Sequence, residues 1–213
     1  KPLRESHVLA CVWDFDKTLI PGYMQTPLFR AYGVDEQAFW REVNQLPGLY
    51  ARKGIRTSKD TAYLNHLLSH VKHGPMRGLT NRRLRELGGE IELAPGLPDF
   101  FPAIQRHAHE LGAKVGLGVT LEHYIVSTGL AEMIRGTALA PHVAGIYGCE
   151  FLEEPLPPRF GRQDELGLEL PSEITQVAAM VDNTVKTRFL FEINKGTSKD
   201  PAIDVNAVVR PED

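Results

Sequence analysis

Cysteine is scarce in this sequence: 213 residues carry two, Cys11 and Cys149. They form no CxxC motif and no disulfide framework, so a reducing, cytoplasmic setting is expected, with Cys11 a small core residue inside an apolar run. Long apolar runs are missing too. No stretch approaches the roughly 18 residues that a membrane span needs, and none has the pattern of a signal peptide, so no membrane partner is expected. Runs of Lys and Arg are equally absent, and the formal net charge is −3, which argues against nucleic acid as a partner. Any anion must be held locally, by a few cationic groups and backbone amides. "GLG" at 116–118 precedes an apolar strand instead of following one and lacks a third glycine, so it is no dinucleotide loop. There is no internal repeat or low-complexity tract.

What remains is an ordinary globular composition, 42% hydrophobic and 24% charged, of a size for one large domain or a core with a smaller companion. "HVLACVW" (7–13) is short, continuous and rich in branched and aromatic residues. It predicts a strand buried on both faces, as in a parallel sheet, and it runs straight into Asp14 and Asp16. From 24 to 92 the pattern is helical. "DEQAFWREVNQL" puts Phe39, Trp40 and Val43 on one face, and "KDTAYLNHLLSHV" does the same with Tyr63, Leu64, Leu67, Leu68 and Val71. "LTNRRLRELGG" offers Thr80 as a cap, Leu84 and Leu87 as an apolar pair, and Gly88-Gly89 as a stop. A helix starting near Pro98 or Pro102 leads into the strand "HYIVSTG" (123–129) and the short helix "LAEMIRG". "HVAGIYGCEFL" (142–152) reads as a strand pair, 153–171 as an exposed Pro- and Gly-rich loop, and "EITQVAAMVDNTV" as a strand feeding a helix through "KTRFLFEINKG". His66, His70 and His73 invite a zinc reading, since the first two are one helical turn apart. The adjacent glutamate of HExxH is missing, and ordinary helix residues are the simpler reading.

Two acids at a strand end repel each other and call for a cation. "VWDFDKTL", an apolar strand ending in Asp-x-Asp-x-Thr, resembles the first motif of the haloacid dehalogenase (HAD) superfamily. After a helical insertion, "YIVSTG" resembles the second motif, and a lysine opening a later helix in "DNTVKTRF" the third. The insertion sits where the phosphoserine-phosphatase-like branch carries a C1-type cap. The resemblance implies an α/β fold: a Rossmann-like three-layer core with a parallel sheet, from 1–22 and 93–213, plus an all-helical cap over 23–92. It implies a magnesium-dependent phosphatase acting on a small phosphorylated metabolite through an aspartyl-phosphate. Asp14 would be the nucleophile and Asp16 the general acid and then base. Both would hold Mg2+, Asp16 through its backbone carbonyl. Thr18, Ser127, Thr128 and Gly129 would bind the phosphoryl group, and Lys186 would neutralise it. Lys195 competes for that role, but it sits beside Gly196 at a helix C-terminus, where a cation simply complements the dipole. An acid at position 16 separates phosphatases from dehalogenases proper, whose halide leaves without protonation.

The resemblance also implies a fourth, acidic motif that supplies a third metal ligand, and no residue here takes that role. "MVDN" (180–183) precedes the lysine, and Glu212 and Asp213 follow no apolar strand. A chain opening on Lys1 and closing at "VVRPED" is expected to be a fragment of an active enzyme, with weak Mg2+ affinity and little turnover by itself. A naturally silent phosphate-binding or interaction protein is the alternative, and phosphoryl transfer to another acceptor, as in mutases, a third. Phosphoserine phosphatases carry an acid nine residues after the nucleophile, whereas Tyr23 stands there in this sequence. That weakens phosphoserine as the substrate. Arg52, Arg56 and Lys59 could meet an acidic substrate or simply form a solvated helix face. Oligomeric state is not legible.

Overall fold

The computed structural model describes residues 6–155, 172–197 and 199, so most of the 153–171 loop and the terminal "VVRPED" lie outside the described residues. Four strands form one sheet in the order β1-β2-β3-β4, with β1 Ser6–Trp13, β2 Gly118–Leu130, β3 Gly145–Leu152 and β4 Gln176–Ala179. β1, β2 and β3 run parallel, with Trp13 beside Ile125 and Ile125 beside Ile146. The fold is α/β with a mostly parallel sheet.

The structure departs from the sequence expectations at four points. β4 is antiparallel to β3. It starts by pairing Gln176 with Leu152, the residue on which β3 ends, and a chain returning beside the strand end it has just left must run antiparallel. The segment 142–152 holds one strand, not two: His142 closes a 3-10 turn that begins at Ala140, and the strand starts only at Gly145. β1 is not buried on both faces: among the described residues it is an edge strand, and Val8 and Leu9 are 52% and 51% exposed. Cys11 is accordingly half-buried rather than core.

Between β1 and β2 come five helices: α1 Thr26–Ala31, α2 Glu36–Ala51, α3 Lys59–His73, α4 Asn81–Gly88 and α5 Phe100–Lys114. Their starts follow from local chemistry. Asp35, Ser58 and Thr80 each accept a hydrogen bond from the amide three residues on, satisfying a donor that the first helical turn leaves orphaned. α5 begins at Phe100, between the two proline candidates, with Pro102 in its first turn where no intrahelical N–H is needed. The apolar stripes are buried as their spacing requires: Phe39 and Val43 on α2, Tyr63, Leu64, Leu67 and Val71 on α3, Leu84 and Leu87 on α4. These join Phe15, Leu19, Phe101, Ile125 and Met133 in one continuous core.

Two devices tie the helices to the sheet. α6 (Ala131–Arg135) follows β2 and packs on α4 through glycines. A Cβ on Gly136 would lie 1.8 Å from the Arg85 carbonyl oxygen, and one on Gly88 2.0 Å from that of Met133. On the other side, Trp13 stacks on Phe101 and Phe101 on His123, with ring centroids 5.6 and 4.2 Å apart. The Trp13 indole N–H donates to His123 Nδ1 at 3.1 Å, so the imidazole proton sits on Nε2, facing the Phe101 carbonyl at 3.4 Å. Burial holds His123 below the usual histidine pKa, in keeping with a neutral core residue. No described helix is long and apolar enough to cross a membrane.

Candidate active site

Asp14 follows directly on β1, at the carboxyl end of the parallel strands, where side chains project into the crevice in which open α/β sheets bind ligands. The turn after it is tight. Leu19 N donates to the Phe15 carbonyl at 2.9 Å and Lys17 N to that of Gly22 at 3.2 Å, which requires φ of 58° at Lys17. Its apolar members, Phe15, Leu19 and Ile20, are buried and anchor the loop. Asp16 accepts from the Met24 amide at 2.9 Å. Burial pushes the Asp16 carboxyl up to about 6. The Asp14 charge adds to that rise, while the Met24 hydrogen bond, Lys186 and Lys17 oppose it.

Lys186 arrives from the far end of the chain. It is the fourth residue of α7 (Asn183–Lys195). Cys149, on β3, accepts from the Val181 amide at 3.3 Å and faces the Thr128 carbonyl at 3.3 Å, so the segment after β4 is drawn across the end of β2. Asp182 then caps α7, accepting from Thr184 N and Val185 N, both at 2.8 Å. That is the structural task of the acid in "MVDN". The outcome is an ammonium placed on the carboxylate: Lys186 Nζ lies 2.8 Å from Asp14 Oδ1, across 172 residues of sequence. Phe15 N donates to the same oxygen at 2.9 Å. Among the described residues Asp14 Oδ2 accepts no hydrogen bond. Lys195 is the last residue of α7 and precedes Gly196, whose φ of 72° is the left-handed conformation that ends the helix.

The second strand supplies the rest of the predicted set, in a form its sequence pattern did not show. With Trp13 beside Ile125, Ser127 falls at the same sheet end as Asp14. The β2–β3 register shifts between Val126 and Leu130, so Ser127–Gly129 form an irregular stretch of β2. Ser127 is buried, and its Oγ accepts from the Gly129 amide at 3.0 Å. That amide, expected to be a free phosphate donor, is engaged within the turn. Gly129 leaves room for Met24: a Cβ there would lie 2.2 Å from Met24 Cε, and the methionine side chain would have to shift. Thr18 is exposed in the turn after Asp14, its amide donating to the Phe15 carbonyl at 3.2 Å.

A cleft of about 200 Å³ opens beside these residues, lined by Asp16, Tyr23, Thr128 and residues of α2 and α3. Lys59 lines it, whereas Arg52 and Arg56 are exposed elsewhere. Gln25, Trp40, Asn44, Asp60 and Tyr63 also line it, and no motif marked them. The buried Gln25 Oε1 and Trp40 Nε1 have no hydrogen-bond partner among the described residues. Tyr23 accepts a hydrogen bond from Lys17 Nζ at 2.7 Å.

No protein-family model matches the chain. An uncharacterized protein of Borreliella burgdorferi is 37% identical over 193 residues, 90% of this chain and 66% of that protein. Among solved structures, a HAD family hydrolase of Salmonella enterica serovar Typhi superposes with a TM-score of 0.54 at 14% identity, over 92% of this chain and 53% of its own. A substrate-bound phosphoserine phosphatase gives a TM-score of 0.49 at 12% identity, over 94% of this chain and 75% of its own. The chain thus spans just under two thirds of the curated relative and about half of the Salmonella hydrolase. In its mostly parallel sheet with helices around it, and in its superposition on that hydrolase, the protein has the HAD-like fold.

Proposed function

We propose that the protein is a magnesium-dependent phosphatase that hydrolyses a small phosphorylated metabolite through an aspartyl-phosphate at Asp14. The observation that carries this reading is the Lys186–Asp14 contact at 2.8 Å. Lys186 Nζ and Phe15 N both hold Oδ1, which fixes the carboxylate plane and presents Oδ2 as the attacking atom. The same ammonium stands beside the point where a transferring phosphoryl group gathers negative charge, and electrostatic stabilisation there is the main source of rate.

Asp16 suits proton transfer. A carboxyl with a pKa near 6 is protonated often enough at neutral pH to give a proton to a leaving alcohol, and basic enough afterwards to take one from water. Ser127 and Thr128, at the end of β2, and Thr18 in the facing turn supply hydroxyls for the phosphoryl oxygens. Asp14 and Asp16 also fit a hard divalent cation. They offer only oxygen donors, and Asp16 is half-buried beside a like charge. Mg2+ held by this pair would neutralise charge on the transferring group.

Helical segment 23–92 acts as the cap in this reading, closing the cleft from above. A cleft of about 200 Å³ fits a compact phosphomonoester rather than a nucleotide or a protein segment. Gln25 Oε1 and Trp40 Nε1 would pair a donor and an acceptor on its non-phosphate part, and Lys59 and Asp60 its charges. Tyr23 stands where an acid would meet an amine, which favours a substrate without an amino group at that point.

The test is phosphate release from a panel of phosphomonoesters by the full-length protein, with Mg2+ and with EDTA. Release that requires Mg2+ and is lost in Asp14→Asn supports the reading. Equal release by Asp14→Asn refutes it.

A further inference from the structure

A second cluster lies between α2 and α3, and none of its residues lines the cleft beside Asp16. His66 and His70, one turn apart on α3, turn their Nε2 atoms toward each other at 3.3 Å. Glu42 of α2 brings Oε2 to within 2.7 Å of His66 Nε2. The three ligand atoms all lie within 4.8 Å of one another. Beneath them is the ring of Phe39, 1% exposed, with its centroid 5.0 Å from His66 and 5.3 Å from His70.

No arrangement of protons satisfies this cluster. A proton on His66 Nε2 serves the Glu42 carboxylate, but His70 Nε2 must then present a lone pair. The His70 proton moves to Nδ1, which is buried and has no partner among the described residues. If instead His70 Nε2–H donates to His66, the His66 lone pair faces the Glu42 oxygen at 2.7 Å with nothing between them. Charging both rings sets two N–H groups against each other across 3.3 Å. Each state leaves a repulsion or an unpaired buried donor.

We infer that Glu42, His66 and His70 form a binding site for a late first-row divalent cation, with Zn2+ as the natural occupant, clasping α2 to α3. A cation takes three converging lone pairs at once. Two ligands at about 2.0–2.1 Å in a tetrahedron stand about 3.3–3.4 Å apart, which is the spacing of the two Nε2 atoms here. Glu42 is long and 54% exposed, so its carboxylate can back away from 2.7 Å to that spacing. Phe39 keeps the floor dry and the two rings in place. Two imidazoles and one carboxylate select Zn2+, Cu2+ or Ni2+ over Mg2+ or Ca2+ and leave a fourth position for water. The His70 Nδ1–H stays unpartnered in the bound state, which lowers affinity by about 10–100-fold against a site whose second nitrogen is hydrogen-bonded. His73, the third histidine of the sequence pattern, takes no part. The third ligand, Glu42, comes from a different helix than the two histidines.

The probe is Zn2+ itself, titrated calorimetrically into protein freed of metal by EDTA dialysis, with Co2+ as a coloured substitute. One Zn2+ should bind with Kd below about 10 µM. A hundredfold excess over Kd should raise Tm by about 5–10 °C, and Co2+ should give the visible bands of a four-coordinate site. Glu42→Gln, on an exposed side chain that the fold does not need, should weaken binding at least tenfold, and His66→Ala with His70→Ala should abolish it. Wild-type binding weaker than about 10 µM overturns the inference. So does undiminished binding in the double variant, or in Glu42→Gln.

Discussion

The chemistry of Asp16 is set by its surroundings. Its folded pKa of about 6 lies above the ordinary 3.8, mainly because burial penalises the charge. Between those values the folded protein holds a proton that the unfolded chain has released. The contribution to stability is therefore fully present below pH 3.8 and lost as pH rises through 6. Asp16→Asn removes this dependence. In EDTA, the variant should gain up to about 3 kcal/mol relative to wild type between pH 4 and pH 7, read from urea midpoints at each pH. A difference that stays flat across that range contradicts the burial of Asp16. Lys186 should behave in the opposite way, with a large catalytic effect and a small structural one. The Asp14 side chain is 51% exposed, and such ion pairs contribute about 0–1 kcal/mol. Lys186→Ala should shift the urea midpoint little while lowering kcat/KM by about 10²–10³-fold. A variant that loses stability but keeps its rate would assign Lys186 to structure alone.

At the scale of the elements, Lys186 reaches Asp14 because α7 starts where it does. Asp182→Ala removes two capping hydrogen bonds of 2.8 Å and should cost about 1–2 kcal/mol. It should also lower kcat/KM by fraying the turn that carries Lys186. Loss of stability with unchanged kcat/KM would show that the ammonium finds its place without the cap. The α4–α6 contact is more severe: Gly136→Ala forces a Cβ to within 1.8 Å of a backbone oxygen, so a helix must move. The expected cost is about 3 kcal/mol or more, and a melting temperature equal to wild type would mean that the helices are not that close. Much of this level was legible in the sequence. Thr80 as a cap and the stripes of α2 and α3 follow from local spacing and helix-end chemistry. Strand direction did not, because the four residues of β4 carry no sign of which way they run. The engaged Gly129 amide escaped for a similar reason, since "YIVSTG" does not say where the ladder breaks.

For the whole molecule, the gap between sequence and structure lies in what comes together from afar. An apolar run records that a strand favours burial but not which neighbours supply it, so β1, expected to be buried on both faces, stands at the edge among the described residues. Glu42 was invisible as a partner of His66 because 24 residues and a helix boundary separate them. The cleft lining was hidden likewise, drawn from α2, α3 and the turn after β1. By contrast, Asp14 and Lys186 were named from their places in ordered motifs and lie 2.8 Å apart across 172 positions.

The most direct measurement is to trap the covalent intermediate. Full-length protein with Mg2+ and a radiolabelled phosphomonoester, quenched in acid during turnover, should carry label as an acyl phosphate that hydroxylamine releases. Peptide mapping should place it on Asp14, and Asp14→Asn should carry none. Turnover with no acid-stable label in wild type, or label retained in Asp14→Asn, would contradict nucleophilic attack by this carboxylate.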